Sequence, residues 1–154
     1  MRDLKIDYRQ LEQLKANLEA ISKESDAFFE AAAKELAARL LSKVIRRTPV
    51  GQYPKGSGKV GGTLRRGWTS GKSQSAAAFA NSLPVHHFGD TYVIEVINPV
   101  EYASYVEFGH RTAGGNGWVE GRHMLTISEE EIKRDATGIL EAKLKKWLSG
   151  AEGK

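Results

Sequence analysis

The chain has 154 residues and contains no cysteine. Its length suits one domain with one hydrophobic core, and the lack of cysteine excludes disulfides and thiolate metal sites. No apolar run approaches the roughly 20 residues of a membrane helix, and residues 1–5 lack the apolar block of a signal peptide. We therefore expect a soluble protein with no membrane association that stays inside the cell when it is made.

Positive charge is concentrated in the middle of the sequence, although the net charge is only +4. Residues 36–89 contain nine lysines or arginines and no acidic residue, whereas the rest of the chain carries 14 basic and 19 acidic residues. This division predicts one surface that meets an anion. A phosphate backbone and an acidic protein partner both fit, and a solvated basic face without a partner is the structural alternative.

The first predicted element is a helix that begins at Tyr8. Leucine and isoleucine recur at spacings of three and four residues, which places them in one narrow stripe along this helix: Leu11, Leu14, Leu18 and Ile21. A narrow stripe suits packing against a single partner helix, which a neighbouring subunit could provide. We therefore expect an N-terminal helical arm over about residues 1–25.

A second helix is predicted from Ala27 to about Arg47, with Ser25 or Asp26 as its cap. Its broad apolar face indicates the principal core helix. Arg46 and Arg47 lie in its last turn, where cations interact favourably with the helix dipole. These arginines therefore have a structural explanation as well as a functional one.

The segment after this helix is predicted to be a long flexible loop. Residues 51–62 include five glycines, and Lys55 and Lys59 are its charged side chains. Residues 64–69 predict a short strand anchored by Trp68. Small residues from Ala76 to Phe79 favour a short helix.

The clearest strand pattern covers residues 91–97, where β-branched residues predominate on both faces and predict a central strand. A short helix should follow around Tyr102 to Val106 and end at Gly109, which can adopt a left-handed conformation. Glu107, His110 and Arg111 would then cluster at its end as a candidate site. Solvated charges in a packed turn are the structural alternative.

The last third of the sequence predicts a loop, a strand and a helix. Residues 109–121 are rich in glycine and predict a flexible loop in which Trp118 either docks on a partner or covers the core. Residues 124–127 predict a return strand. Ser128 and Glu131 then form a capping box at the start of a C-terminal helix.

These elements predict an α+β fold. A small antiparallel sheet, built from the regions of Leu64, Thr91 and Met124, would pack against a long N-terminal helix and a C-terminal helix. The whole chain, residues 1–154, would form a single domain.

No motif in the sequence predicts an enzyme. His86 and His87 are adjacent and cannot share a helix face, and no metalloprotease, paired aspartate or nucleophile-elbow motif occurs. The G-S-G-K run at residues 56–59 fails the phosphate-loop spacing, because Tyr53 and Val60 occupy positions that need glycine and serine or threonine. We expect no catalytic residue, no cofactor and no metal.

Several motifs resemble those of a known family. They are R-R-T-P-V at 46–50, G-T-L-R-R at 62–66, Y-A-S-Y-V-E-F-G-H-R-T at 102–112, G-W-V-E-G-R at 117–122 and M-L-T at 124–126. Over roughly residues 30–130 this set resembles the gene-product-ten-like family of tailed phages, which includes the minor tail protein Z type of tail-completion or neck proteins. The chain differs at residues 51–62, where related chains usually have only a few residues.

The resemblance implies a structural virion protein at the head-tail junction, assembled in the host cytoplasm. It implies a ring of roughly six or twelve copies that contacts other neck, portal-adaptor, tail-tube or terminator proteins and allows DNA to pass. The candidates for subunit or partner interfaces are Leu11, Leu14, Leu18, Ile21, Tyr102, Tyr105, Glu107, His110, Arg111 and Trp118. The candidates for a DNA-facing lumen are Arg46, Arg47, Lys55, Lys59, Arg65 and Arg66.

Two other functions fit the sequence. A stand-alone, sequence-independent DNA-binding protein would bind duplex as an isolated monomer, with an affinity that falls as salt rises. A phosphodiesterase built around His110 and Glu107 would cleave nucleic acid in a metal-dependent manner.

Overall fold

The structure is a computed structural model that describes residues 8–150, apart from the side chains of Tyr8, Gln10, Leu11, Leu14, Lys15 and Ile21. The described residues form these helices and strands in chain order: α1 (Tyr8–Arg47), α2 (Thr63–Gly67), α3 (Ala76–Ser82), β1 (His86–Phe88), β2 (Thr91–Val93), α4 (Ala103–Phe108), β3 (Gly109–Arg111), β4 (Trp118–Glu120) and α5 (Met124–Leu148). The predicted α+β class is confirmed.

Helix α1 runs unbroken through the place where the sequence predicts a second helix to start. The predicted boundary at Ser25 or Asp26 is wrong, because both residues lie inside α1. The Asp26 carboxylate instead accepts a hydrogen bond of 2.6 Å from the hydroxyl of Tyr92. This contact satisfies the carboxylate without ending the helix.

Helices α1 and α5 pack in opposite directions. Glu131, near the start of α5, contacts Lys43 and Arg47 near the end of α1. At the other end of the pair, the rings of Phe28 and Trp147 lie 5.1 Å apart. The part of α1 that precedes Phe28 therefore extends beyond α5, and every side chain described from residue 9 to residue 24 is exposed.

The core lies between the second half of α1, α2, α3 and the start of α5. Its buried residues are Ala37, Leu41, Val44, Leu64, Trp68, Phe79, Ala80 and Met124. Apolar residues of α1 at spacings of three and four supply one side of this core, as the helical pattern predicts.

Residues 64–69 form helix α2 and the turn after it, so the predicted strand is wrong. Gly62, with φ of 92°, turns the chain just before α2. Trp68 is buried, which confirms its predicted role as an anchor. Helix α3 confirms the helix expected from Ala76, and the Ser75 side chain caps it by accepting from the amide of Ala78.

The strands form two separate antiparallel hairpins instead of one small sheet. β1 pairs with β2, in the register His86 with Val93, and β3 pairs with β4, in the register His110 with Val119. The prediction of a central strand over residues 91–97 is therefore wrong, because pairing stops at Val93. Residues 109–121, expected to be a flexible loop, instead contain the β3–β4 hairpin.

Helix α5 begins at Met124, so the return strand predicted for residues 124–127 is wrong. Ser128 lies inside the helix and is fully buried, where its hydroxyl donates to the Met124 carbonyl over 2.6 Å. The predicted capping box is also wrong, because Ser128 and Glu131 both face α1. Among the described helices, none has the length and apolar content needed to cross a membrane.

Candidate functional site

The T-P-V segment is organised around Thr48, which follows the last residue of α1. Its side chain is fully buried, and its Oγ1 donates to the Val44 carbonyl over 2.6 Å. The same oxygen accepts a hydrogen bond of 2.7 Å from the indole Nε1 of Trp68. Because buried polar atoms need partners, Thr48 and Trp68 hold each other in the core.

The L-R-R segment is tied to the same residue. The Nε and Nη2 atoms of Arg65 donate to the Thr48 carbonyl over 3.1 and 2.7 Å. The Arg65 side chain therefore provides hydrogen-bond donors to the Thr48 carbonyl, which follows the end of α1 and has no helical partner. Arg65 is a structural residue, and its guanidinium is only partly available to a ligand.

The N-P-V turn at residues 98–100 holds α2 in place. The Asn98 side chain donates to the Leu64 carbonyl over 2.7 Å and accepts from the Val100 amide over 3.1 Å. A Cβ atom on Gly67 would lie 2.2 Å from the Asn98 Oδ1. Glycine is therefore required where α2 and this turn meet.

Glu107 is buried, contrary to the expected cluster of exposed charges, and it holds the start of α5. Its carboxylate accepts hydrogen bonds of 2.9 Å from the amides of Leu125 and Thr126 and of 2.7 Å from the Thr126 hydroxyl. Burial raises the pKa of Glu107, but these hydrogen bonds lower it by more, so the net pKa is below the usual value. A carboxylate near a helix N-terminus also interacts favourably with the dipole.

The backbone around Glu107 is packed closely against the chain that leads into α5. The amides of Arg122 and His123 donate to the carbonyls of Val106 and Glu107 over 2.7 and 3.0 Å. Gly109 ends α4, as predicted, with φ of 86°. Because Glu107 is engaged in these contacts, it is not available as the acid or base of a hydrolytic site.

The six candidates for a DNA-facing lumen fall into two groups. Arg47 contacts Ser128 and Glu131 of α5, and Arg65 contacts Thr48, so both link separate segments of the fold, although Arg47 is itself exposed. The other four are exposed: Arg46, Lys55, Lys59 and Arg66. Sequence reasoning could not separate these groups, because spacing alone does not show which cations meet an internal acceptor.

Lys72, a further cation of the basic segment, lies with Arg65 and Arg66 around a cleft of about 510 Å³. Lys72 and Arg66 are exposed at this cleft. The lack of acidic residues in residues 36–89 was the sequence signal that could have predicted this basic cleft.

Most of the interface candidates whose side chains the structure describes are exposed. Leu18 is 58% exposed in the N-terminal arm, whereas the side chains of Leu11, Leu14 and Ile21 lie outside the described residues. Tyr102, Tyr105 and Trp118 are exposed by 44, 58 and 53%. Arg111 is also exposed.

His110 is less accessible than the residues around it. It lies in β3, and its Nδ1 atom is buried without a hydrogen-bond partner in the described part of the chain. Its ring centroid lies 5.8 Å from that of Tyr105. No group of three or more His, Asp or Glu residues within residues 8–150 is arranged to hold a metal ion.

Together, the fold and these surfaces define a small α+β protein in which the motif residues hold helices together while large apolar and basic surfaces remain exposed. Comparison with known families then identifies it further. Residues 12–109 match the family described as "Bacteriophage HK97-gp10, putative tail-component". Because this match covers more than half of the chain, the protein belongs to that family and is a phage tail component with a structural role in the virion.

The match confirms the family resemblance, although the motifs at residues 117–122 and 124–126 lie outside it. It begins within α1 and ends at Gly109, so β4 and α5 lie outside it. No curated protein and no solved structure matches the chain.

Proposed function

We propose that this tail component forms a closed ring at the head-tail junction, where it completes the tail or joins it to the head and lets DNA pass through the centre. Each copy contacts its two neighbours and other neck, portal-adaptor, tail-tube or terminator proteins. The basic segment faces the DNA.

The observation that carries the proposal is the amount of surface that one copy exposes. The accessible surface is 11658 Å², whereas a compact monomer of 17.0 kDa exposes about 7,700 Å². Large apolar side chains contribute to this surface, including Ile97, which is 62% exposed, and Phe108, which is 63% exposed. Apolar patches of this kind mark protein interfaces, and a tail component meets its partners in the assembled particle.

A ring requires two different contact surfaces on every subunit. The described part of the N-terminal arm, residues 8–25, supports one of them, because it extends beyond α5 with Leu18 exposed. The exposed aromatic residues of α4 and of the β3–β4 hairpin support the other. These surfaces lie on different elements, which is the arrangement that a head-to-tail contact needs.

The DNA-facing part of the proposal rests on exposed cations. Lys55 and Lys59 lie in the loop between α1 and α2, and Arg66 and Lys72 line the cleft after α2. Phosphate contacts by such residues are independent of base sequence, which suits a channel through which a whole genome passes.

Imaging of the neck in intact particles tests the ring. The expected result is a closed ring of this chain around the axis of the DNA. A chain found as one copy per particle, or absent from purified particles, would exclude the proposal. A monomer in solution is compatible with it, because a neck protein can require its neighbours as a template.

A charge reversal tests the DNA-facing surface separately. The double variant Lys55→Glu/Lys59→Glu changes residues that hold no helix in place, whereas reversal at Arg65 would also break its contact with Thr48. We expect tails of normal appearance but at least about tenfold fewer infectious particles. Lys133→Glu, on the exposed side of α5, is the matched control. Normal infectivity of the double variant would rule out DNA contact by this loop.

The exposed cations also favour a second candidate, a DNA-binding protein that acts alone. This function predicts that the isolated chain binds duplex DNA and loses affinity steeply as salt rises. The ring proposal predicts little binding outside the particle. Electrophoretic mobility shifts at two salt concentrations distinguish the two.

A further inference from the structure

The segment from Ile94 to Ile97 has the sequence of a strand but pairs with no other strand among the described residues. Its residues continue the β-branched pattern of β2, and such residues favour pairing in a sheet. In the described part of the chain, however, no backbone hydrogen bond involves residues 94–97. Unpaired strand edges are places where another strand can add.

Apolar clefts lie beside this segment and could receive the side chains of an added strand. One, of about 240 Å³, is lined by Val96, Ile97, Phe108 and Met124. Ile97 and Phe108 at its rim are 62 and 63% exposed. A second cleft, of about 220 Å³, also includes Ile97 in its lining. In strand addition, main-chain hydrogen bonds give affinity and such pockets give specificity.

The β3–β4 hairpin of the same chain offers a complementary edge. β4 is exposed at all three residues and pairs only with β3 in the described residues. Trp118 and Val119 project from it with 53 and 43% of their surfaces exposed. In its own chain Trp118 lies near Gly109, and it does not line the cleft beside residues 94–97.

The two edges also differ in charge. Residues 90–109 contain four acidic residues and no lysine or arginine, and of these four only Glu107 is buried. Residues 110–122 contain nearly all of the β3–β4 hairpin and the two residues that follow it. They carry Arg111, Arg122 and one acidic residue, Glu120. Opposite charge favours contact between these two regions of different copies and disfavours contact of either region with itself.

We propose that β4 of one copy adds to residues 94–97 of the next copy and inserts Trp118 into the cleft beside Ile97. This inference rests on the proposed ring and names one of its subunit contacts, in addition to any contact made by the N-terminal arm. The contact joins two different surfaces, so it repeats from copy to copy as a ring requires. It also gives partners to backbone groups that lack them in one copy.

Crosslinking in assembled particles tests the contact, because the chain has no cysteine of its own. The double variant Ile97→Cys/Glu120→Cys is incorporated into phage particles and treated with a short bis-thiol crosslinker that tolerates a shift of two residues, about 7 Å along a strand. The expected result is a ladder of covalent multiples of the 17.0 kDa chain. Each single variant should give only the monomer band.

The other outcomes overturn the inference in distinguishable ways. A visible ring without a ladder means that the subunits meet elsewhere, while the proposed function stands. Dimers from Ile97→Cys alone mean that two copies of the same segment meet, and crosslinks from Ile97→Cys to a different protein mean that another tail component supplies the strand. The lack of any ring contradicts the proposed function itself.

A second variant keeps the test independent of crosslinking chemistry. Ile97→Lys places a charge in the proposed contact at a position that is already 62% exposed, so the fold should be kept. We expect an unchanged melting temperature and at least about tenfold less incorporation into particles. Leu148→Lys, at a position 70% exposed, is the matched control and should be incorporated normally. Equal incorporation of both variants would overturn the proposal.

Discussion

Replacing Thr48 by valine removes a buried hydroxyl while keeping nearly the same shape. In the parent chain this hydroxyl accepts from the Trp68 indole, and both residues are buried. The Val44 carbonyl keeps a partner in the variant, because the Thr48 backbone amide also donates to it over 2.9 Å. The indole N–H is therefore the one group that loses its partner.

The size of the effect follows from this single unsatisfied donor. Leaving a buried donor without a partner costs about 1–3 kcal/mol, so we expect Thr48→Val to lower the free energy of unfolding by about 2 kcal/mol. For a chain of this size the melting temperature should fall by about 4–8 °C. Urea unfolding, followed by tryptophan fluorescence and circular dichroism, measures the loss.

Two controls isolate the hydrogen bond from packing. Thr48→Ser keeps the hydroxyl and loses one methyl group, so it should cost only about 1 kcal/mol. A double-mutant cycle with Trp68→Phe, which removes the donor, should give a coupling energy of about 1–2 kcal/mol. A loss below about 0.5 kcal/mol in Thr48→Val, together with no coupling, would refute the role given to this pair.

Three further predictions concern other contacts of the motifs. Glu107→Gln should lower the free energy of unfolding by about 2 kcal/mol, because an amide cannot accept from every donor that faces the carboxylate; parent-like urea unfolding would contradict this. Gly67→Ala should cost more than about 2 kcal/mol, since the new methyl group would meet Asn98, and an unchanged melting temperature would refute that packing. The hydrogen bond from Arg47, followed by that from Lys43, lowers the pKa of Glu131 to about 2. The stability from this pairing should therefore be present above pH 4.5 and lost as pH falls through about 2, so the difference in stability between the parent and Glu131→Gln should shrink over that range; a constant difference would count against the pairing.

Helical periodicity made the main helices predictable, but their boundaries depend on distant contacts. Ser25 and Asp26 have the chemistry of helix caps, yet Asp26 meets Tyr92 and the helix continues. Thr126 and Ile127 are β-branched, yet residues 124–127 form the first turn of α5. The carboxylate of Glu107, which lies 18 residues before Leu125 in the sequence, accepts hydrogen bonds from the backbone amides of this turn.

The strand predictions were limited in the same way, because strand pairing also depends on contacts that a local sequence pattern does not show. Residues 91–97 have the composition of a central strand, but only Thr91–Val93 finds a partner within one chain. A sequence pattern indicates that a segment favours pairing and does not indicate which copy supplies the partner. The difference between the strand pattern of residues 94–97 and their lack of pairing among the described residues therefore supports a strand partner from another copy.

The candidate site was predictable in its residues more than in their roles. The motifs around Thr48, Leu64 and Glu107 supported the family, which the match to residues 12–109 confirms. Their roles were not visible, because a buried carboxylate and a solvated one look alike in sequence. Arg47 and Arg65 likewise proved to hold the fold together, while the lysines of residues 51–62 remain exposed.

The central proposal is that many copies of this tail component surround the path of the genome. Cryo-electron microscopy of the neck in intact virions tests it most directly. We predict a closed ring in which α1 and α5 can be fitted to every subunit and the loop with Lys55 and Lys59 points towards the DNA. A neck that lacks this chain, or holds it as an isolated copy away from the channel, would contradict the proposal.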